Sequence, residues 1–317
     1  MSTIPSIFNQ TVPSYTVIGQ GERAGNTGMT AVLLNRGGRY LRRSIFQDLE
    51  KAGFDYVISV ETGTESYDLE ELALRYRFAQ FLILKESHSL GEQINIAAME
   101  VRTPLFFVLW NDVRFTQSGG VERIADRILQ NNSVCTVPVV QNTRFEPVPT
   151  LMVPAIYRGT IKTIPFVPVK EGALSLYPFD GVGVYNTEKF IKLSGYDPQI
   201  TSPYWQLMDF GFRSYLWGDR IISSQLLKVV YDGSMPPQDT SMHPDYRHFY
   251  LKNVAPVFRL DAAHLPWRRF IPYLFKSGEG FKSAWKHFRE VRAWVELHKY
   301  RFCLDARQLA ELWEDAE

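Results

Sequence analysis

The chain has little cysteine, no long apolar run and almost no net charge, and each shortage removes a class of protein. Two cysteines in 317 residues, Cys135 and Cys303, are too few and too far apart for a disulfide scaffold or a cysteine metal cluster. A reducing compartment is their simplest setting. Lysine and arginine number 35 against 34 aspartates and glutamates, so no whole-molecule field draws the chain to nucleic acid. No stretch of about 18 apolar residues is present to span a bilayer. The opening MSTIPSIFNQTVPSY lacks the basic and then apolar segments of a secretory leader. These absences predict a cytoplasmic protein with no nucleic-acid partner. There is also no Walker loop, HExxH or GxSxG. IGQGERA at 18–24 fits a dinucleotide G-x-G-x-x-A, yet only the eight residues RAGNTGMT separate Glu22 from the next strand. The required helix has no room.

What is present is a globular composition, 45% hydrophobic and 22% charged, with a strand-then-helix rhythm. TAVLLN (30–35), YVISVE (56–61), FLILK (81–85), LFFVLW (105–110) and CTVPVV (135–140) read as buried strands. Between them, amphipathic patterns predict helices: Leu41, Ile45 and Leu49 before Gly53; DLEELALRYR opened by Asp68, with Glu71 at the capping-box position; Ile94, Ala97, Ala98 and Val101; Val121, Ile124, Ala125 and Ile128. Strands buried on both faces and joined by helices predict a mainly parallel sheet, with ligands beyond its carboxyl edge. Prolines and glycines break up residues 141–183, which read as extended loops and short strands. Helices are expected again at 187–194 and 204–217, a strand near 221–230, and a helical tail from Leu265 broken by SGEG at 277–280.

The motifs at the predicted strand ends resemble, in order, those of glycosyltransferase family 2. LLNRGGRYLRRSIFQDL is similar to the family's opening strand and helix, and VISVETGT to its second strand. SLGEQINIA is similar to the helix start with glycine and asparagine, and FFVLWND to the strand that delivers the Asp-x-Asp metal motif. FDGVGVYNTEKFIKLSGYD and YWQLMDFGFRSYLWGDRI are similar to the acceptor-side segment and the later helix. The resemblance spans about residues 30–230 and departs from the family twice. Trp110 stands at the first aspartate of Asp-x-Asp, and Gln206–Leu207 stand where Glu-Asp is expected.

The resemblance implies an α/β fold of GT-A type, a nucleotide-diphospho-sugar transferase with a mainly parallel central sheet flanked by helices. Residues 1–29 would be an N-terminal extension and 30–264 the transferase body, with a nucleotide-binding half at 30–140 and an acceptor half at 141–264. Residues 265–317 would form a helical C-terminal extension. The implied activity is inverting transfer of a sugar from a nucleotide-sugar donor to an acceptor hydroxyl on a glycan or lipid-linked sugar. A divalent cation, Mn2+ or Mg2+, would meet the charge of the leaving diphosphate. Asp112 is the expected metal ligand, with His243 and His248 from the later loop. Asn35, Glu61, Gly63, Gly91, Asn95, Trp110 and Asn111 are expected around the donor, and Asp209 is the expected general base. Asp245 is a weaker candidate for a ribose or phosphate contact.

Two alternatives stand beside this reading. The departures at Trp110 and Gln206–Leu207 suit a binding or scaffold protein that has lost catalysis on the same fold. A sugar nucleotidyltransferase would need a glycine-rich basic loop after the first strand, which NRGGRYLRR approximates. The tail from Trp267 to Arg301 interleaves aromatics with lysines and arginines. It would either pack its rings on the body or rest peripherally on an anionic membrane at the inner face.

Overall fold

The computed structural model describes residues 14–36, 42–62, 68–116, 120–157, 160–233, 235–241 and 244–314. The first half of the chain runs β1 (Tyr15–Ile18), β2 (Met29–Leu34), α1 (Arg42–Ala52), β3 (Tyr56–Thr62), α2 (Leu69–Arg75), β4 (Ala79–Leu84), α3 (Leu90–Glu100), β5 (Leu105–Trp110), β6 (Val113–Phe115), α4 (Val121–Asn131) and β7 (Cys135–Gln141). The second half comprises β8 (Leu151–Tyr157), β9 (Thr160–Phe166), β10 (Gly183–Asn186), α5 (Thr187–Lys192), α6 (Pro203–Leu216), β11 (Ile221–Tyr231) and α7 (Pro244–Phe249). A hairpin of β12 (Val257–Arg259) and β13 (Ala262–His264) leads to α8 (Phe270–Ser277), α9 (Phe281–His298) and α10 (Ala306–Glu314).

The main sheet has the order β1-β4-β3-β2-β5-β10-β7-β11-β6. Strands β4, β3, β2 and β5 are parallel, as the continuous apolar runs predict. All six residues of β2 and all six of β5 are buried because helices cover both faces. β10 enters antiparallel between β5 and β7 and β6 pairs antiparallel with β11, but β7 and β11 pair parallel, so the expected mainly parallel sheet continues on this side around two antiparallel strands. Tyr15–Ile18, within the segment set apart as an extension, adds an antiparallel edge strand to β4.

Local signals place most helix ends. Gly53 closes α1 at φ 84°. The capping box is not at Asp68 and Glu71: Asp68 makes no cap through its side chain, and Glu71 pairs with Arg43 at 2.6 Å. It forms instead at α3, where Ser89 and Glu92 cap each other reciprocally.

The tail packs part of its aromatic set and exposes the rest. Phe270, Tyr273 and Phe288 are buried and pack on one another, and Trp217 of the body stacks on Trp294 at 5.8 Å. Lys252 lies 4.6 Å from the Trp294 ring centre, and Trp313 meets Tyr215 edge to face at 4.8 Å. Trp267, Ile271, Phe275 and Phe281 stay exposed, with Arg268 and Lys282 exposed beside them. Among the described residues, no helix is long and apolar enough to cross a membrane.

Candidate active site

Register alone brings four charged or polar side chains to one point. Leu34 of β2 lies beside Trp110 of β5, so Asn35–Arg36 and Asn111–Asp112 leave the sheet together. β10 runs the other way, with Gly183 opposite Val108, and its leading turn sets Asp180 above the same strand ends. β11 ends at Tyr231 opposite Val113 of β6, which delivers the phenol from the far side.

Arg36 is the centre of this group. Its Nε and Nη2 donate to the two oxygens of Asp112 at 2.9 and 3.0 Å, and Nη1 donates to Asp180 Oδ2 at 2.7 Å. The guanidinium sits over the Trp110 ring, 4.3 Å from its centre. Asn111 fixes the Arg36 backbone from both ends: its Oδ1 accepts from Arg36 N at 3.1 Å and its Nδ2 donates to Arg36 O at 2.9 Å. Tyr231 donates to Asp180 Oδ2 at 2.9 Å, and the indole N–H of Trp110 donates to the Asp180 carbonyl at 2.9 Å. Burial opposes the charge on Arg36, yet the bonds from Asp112 and the field of both carboxylates raise its pKa further. Burial also pushes the Asp180 carboxyl up, and Arg36 and Tyr231 offset this only in part.

Asp180 takes a left-handed backbone, φ 55° and ψ 21°. That conformation costs a non-glycine residue about 1 kcal/mol, and aspartate is among the side chains that enter it most readily. Here it aims the carboxylate at Arg36 and the carbonyl at Trp110.

The nucleotide-side residues separate into two sets. Asn35, just past β2, and Glu61, near the end of β3, are buried together: Asn35 Nδ2 donates to Val60 O at 2.8 Å, and Ser59 donates to Glu61 at 2.7 Å. The amide oxygen of Asn35 is buried with no hydrogen-bond partner, an unmet acceptor beside the cluster. Gly63 lies outside the described residues. Gly91 and Asn95, expected at the donor, are engaged by Gln206 and Tyr196. The Gly91 N–H is taken by Gln206 at 2.9 Å, and a Cβ there would lie 2.5 Å from the Cβ of Tyr196. Asn95 donates to Tyr196 O and accepts from Tyr196 N, at 2.8 and 2.9 Å. These contacts lock α3 to α6 and to the turn before it. Trp110 and Asn111 do reach the cluster, but their polar groups and one indole face are spent on Asp180 and Arg36.

The expected base is enclosed. Asp209 is 0% exposed and accepts from Arg213 at 2.8 Å, Asn253 at 2.7 Å and Lys252 at 3.0 Å. Burial works against its charge, but Lys252 and Arg213 hold it below the usual carboxylate range. With both oxygens bonded and no path to solvent, it cannot take a proton from an acceptor. The same cluster contains Asp197, 2.5 Å from Lys252 and 3.1 Å from His248. His248 is therefore not beside Asp112: its other nitrogen meets His287 at 3.0 Å, and His287 meets the Tyr273 hydroxyl at 2.6 Å. His243 lies outside the described residues. Asp245 caps the segment before α6, accepting from Thr201 N and Ser202 N at 2.9 and 2.7 Å.

A divalent cation fits this arrangement poorly. Hard cations want about six oxygen ligands. Trp110 supplies none, and both oxygens of Asp112 already serve Arg36. Among the described residues, no group of three His, Cys, Asp or Glu side chains could hold a metal.

Beside the cluster opens a cavity of about 320 Å³, lined by Asp180, Ser202, Tyr204, Leu207, Gln238 and Asp239 among others. That is enough for a monosaccharide-sized group. Sequence reasoning gave Asp180, Asp239 and Tyr231 no role. Asp180 lay within the quoted FDGVG motif, but its approach to Arg36 depends on the antiparallel entry of β10, which carries no local signal.

No family model matches the sequence, and no curated protein matches it. Solved structures do match in three dimensions. GalNAc-T7 with UDP, GalNAc and Mn2+ superposes with a TM-score of 0.55 at 12% identity, covering 71% of this chain. S. aureus TarS 1-349 in complex with UDP-GlcNAc gives 0.51 at 12% identity, covering 83% of this chain and 71% of that one. S. aureus TarS gives 0.50 at 12% identity over 70% of this chain. The chain spans 48% of the GalNAc-T7 structure and 38% of the TarS one. At such identity the likeness is one of fold: the chain has the GT-A glycosyltransferase fold.

Proposed function

We propose that the protein transfers a sugar from a nucleotide-sugar donor to an acceptor hydroxyl with inversion, in the manner of family 2 glycosyltransferases. The carrying observation is the convergence, past the ends of β2, β3 and β5, of an unmet amide acceptor at Asn35, the Arg36 cluster and the cavity beside Asp180. In a doubly wound sheet this edge is where nucleotides bind. Asn35 Oδ1 would accept an N–H from the base, and the sugar would extend into the cavity.

Inversion requires the acceptor oxygen to attack from the side opposite the leaving diphosphate. The new carbon–oxygen bond forms as the bond to the diphosphate breaks, and the hydroxyl proton passes to a base. Asp180 sits on the Arg36 side, where the diphosphate would leave. Asp239, on the same cavity wall but on a different chain segment, is the carboxylate we assign as base. It takes the place expected for Asp209. The acceptor class stays broad, glycan or lipid-linked sugar. The exposed Trp267, Ile271, Phe275 and Phe281 with their neighbouring cations favour contact with an anionic lipid surface.

The second reading, a sugar-nucleotide binding protein without catalysis, is favoured by one observation: α6 presents Tyr204 and Leu207 to the cavity and no carboxylate. Calorimetric titration with UDP, GDP, CDP and dTDP tests the shared part. Binding of one nucleotide, weakened in Asn35→Ala, is expected. Slow donor hydrolysis that disappears in Asp239→Asn separates enzyme from binder. Failure of all four nucleotides to bind overturns both readings.

A further inference from the structure

We propose that the diphosphate site draws its positive charge from the side chain of Arg36 and not from a divalent cation. The inference rests on the nucleotide-sugar reading and specifies its chemistry.

Three observations carry it. First, the position that should begin a metal motif holds an indole, and the indole's face is the platform on which the guanidinium lies. The substitution removes a ligand and supplies a support for a fixed cation in the same place. Second, Arg36 is held in advance of any ligand: its backbone is clamped by both ends of the Asn111 amide, and one edge of its fork is taken by Asp112 through two bonds. Third, donors remain. A guanidinium has five N–H groups; Asp112 and Asp180 use three of them, and 26% of the side chain is exposed.

Charge balance decides how a diphosphate could approach. Two carboxylates around one guanidinium leave an excess of about one negative charge when both are ionised, which repels a phosphate. One carboxylate must therefore give way. Asp112 is bidentate and stays. Asp180 is held by Arg36 through one oxygen only, and the Tyr231 hydroxyl already bonds that oxygen. It can release Arg36 without losing its last partner. A phosphate then takes over the Nη1 position and the unspent N–H groups, since two phosphate oxygens match a guanidinium edge as a carboxylate does. The exchange balances in charge when the displaced Asp180 takes a proton from solvent, the form toward which its burial already pushes it.

The assignment predicts that Arg36 and a metal ion exclude each other. Two measurements on the full chain test it: nucleoside diphosphate titration in EDTA and in Mn2+, and Mn2+ binding alone followed by electron paramagnetic resonance. For the wild type, nucleotide affinity should agree within about threefold in EDTA and in Mn2+, whereas a metal-bridged site changes by tenfold or more. Arg36→Met should weaken nucleotide binding about tenfold in EDTA. It should also gain Mn2+ binding that the wild type lacks, because Asp112 and Asp180 are released. Arg36→Lys, which keeps the charge without the fork, should fall between and guards against a simple folding loss. Nucleotide binding that strengthens tenfold with Mn2+ and is lost in Asp112→Ala would overturn the assignment, as would Mn2+ bound by the wild type alone. If no nucleotide binds in either buffer, the underlying functional reading has failed, and the Mn2+ measurements show whether the cation site was also misassigned.

Discussion

Asp209 and Lys252 form an ion pair of 3.0 Å in which neither side chain is more than 4% exposed. Lys252 comes from a π-helical turn at Tyr250–Val254 that follows α7, so the pair ties α6 to the segment after α7. Removing one partner of a buried pair leaves the other without compensation, at a cost of about 3–5 kcal/mol. Asp209→Ala is therefore expected to lower the melting temperature sharply and to reduce soluble yield. Were Asp209 a base, the same variant would melt normally and lose turnover alone.

Gly91 should behave as a packing residue. An alanine Cβ there must displace the Cβ of Tyr196, which cannot move far because Asn95 holds its backbone. Overpacking of this kind costs about 1–3 kcal/mol. Gly91→Ala should shift the denaturation midpoint by that amount while leaving the nucleotide dissociation constant of the folded fraction unchanged.

Asn35 makes the opposite prediction. Asn35→Ala loses the bond to Val60 O, worth about 1 kcal/mol of stability, and also the unmet acceptor. Nucleotide affinity should fall about tenfold, one good hydrogen bond to a base. The loss should be largest for the base that binds best, as read by calorimetry on the four nucleotides.

The docking of α9 should depend on pH. His287 has its pKa lowered in the folded protein, by burial first and by neighbouring His248 second. Below the ordinary imidazole value near 6.5 the unfolded chain takes up a proton more readily than the folded one, so stability falls as pH drops from 7 towards the lowered folded value. Thermal melts at pH 7.5 and 5.5 should show this decline, and His287→Gln should flatten it. An unchanged slope in that variant would assign the decline to other groups.

The exposed apolar row of the tail gives a surface prediction. Cosedimentation with anionic vesicles, and not with zwitterionic ones, is expected for the wild type, and Ile271→Ser with Phe275→Ser should abolish it. The double variant should melt like the wild type because both side chains face solvent.

The parts of the fold legible in the sequence were those set by local pattern. LFFVLW reads as a doubly covered strand because all six residues are apolar, and α6 is bounded by Pro203 and Gly218. Asp209 and Arg213, four residues apart on α6, form an ion pair. Its burial was not legible, because Lys252 and Asn253, which close over it, lie more than 40 residues away in sequence. Asn35, Trp110, Asn111 and Asp112 meet at one edge because strand order follows the βαβ rhythm. Asp180 and Tyr231 join them through antiparallel pairings that leave no periodic trace. Gly91 and Asn95 illustrate the reverse: a glycine and an asparagine at a helix start fit an anion site, and here Tyr196 and Gln206 occupy the space.

The left-handed backbone at Asp180 has a consequence for how the chain can vary. Few side chains besides glycine, asparagine and aspartate tolerate that conformation, and β-branched ones are outliers. Neutral drift at the position is thus confined to a very short alphabet. Asparagine within it would preserve the turn and the acceptor for the Trp110 indole while erasing the charge. Geometry and electrostatics can be inherited separately at this one codon.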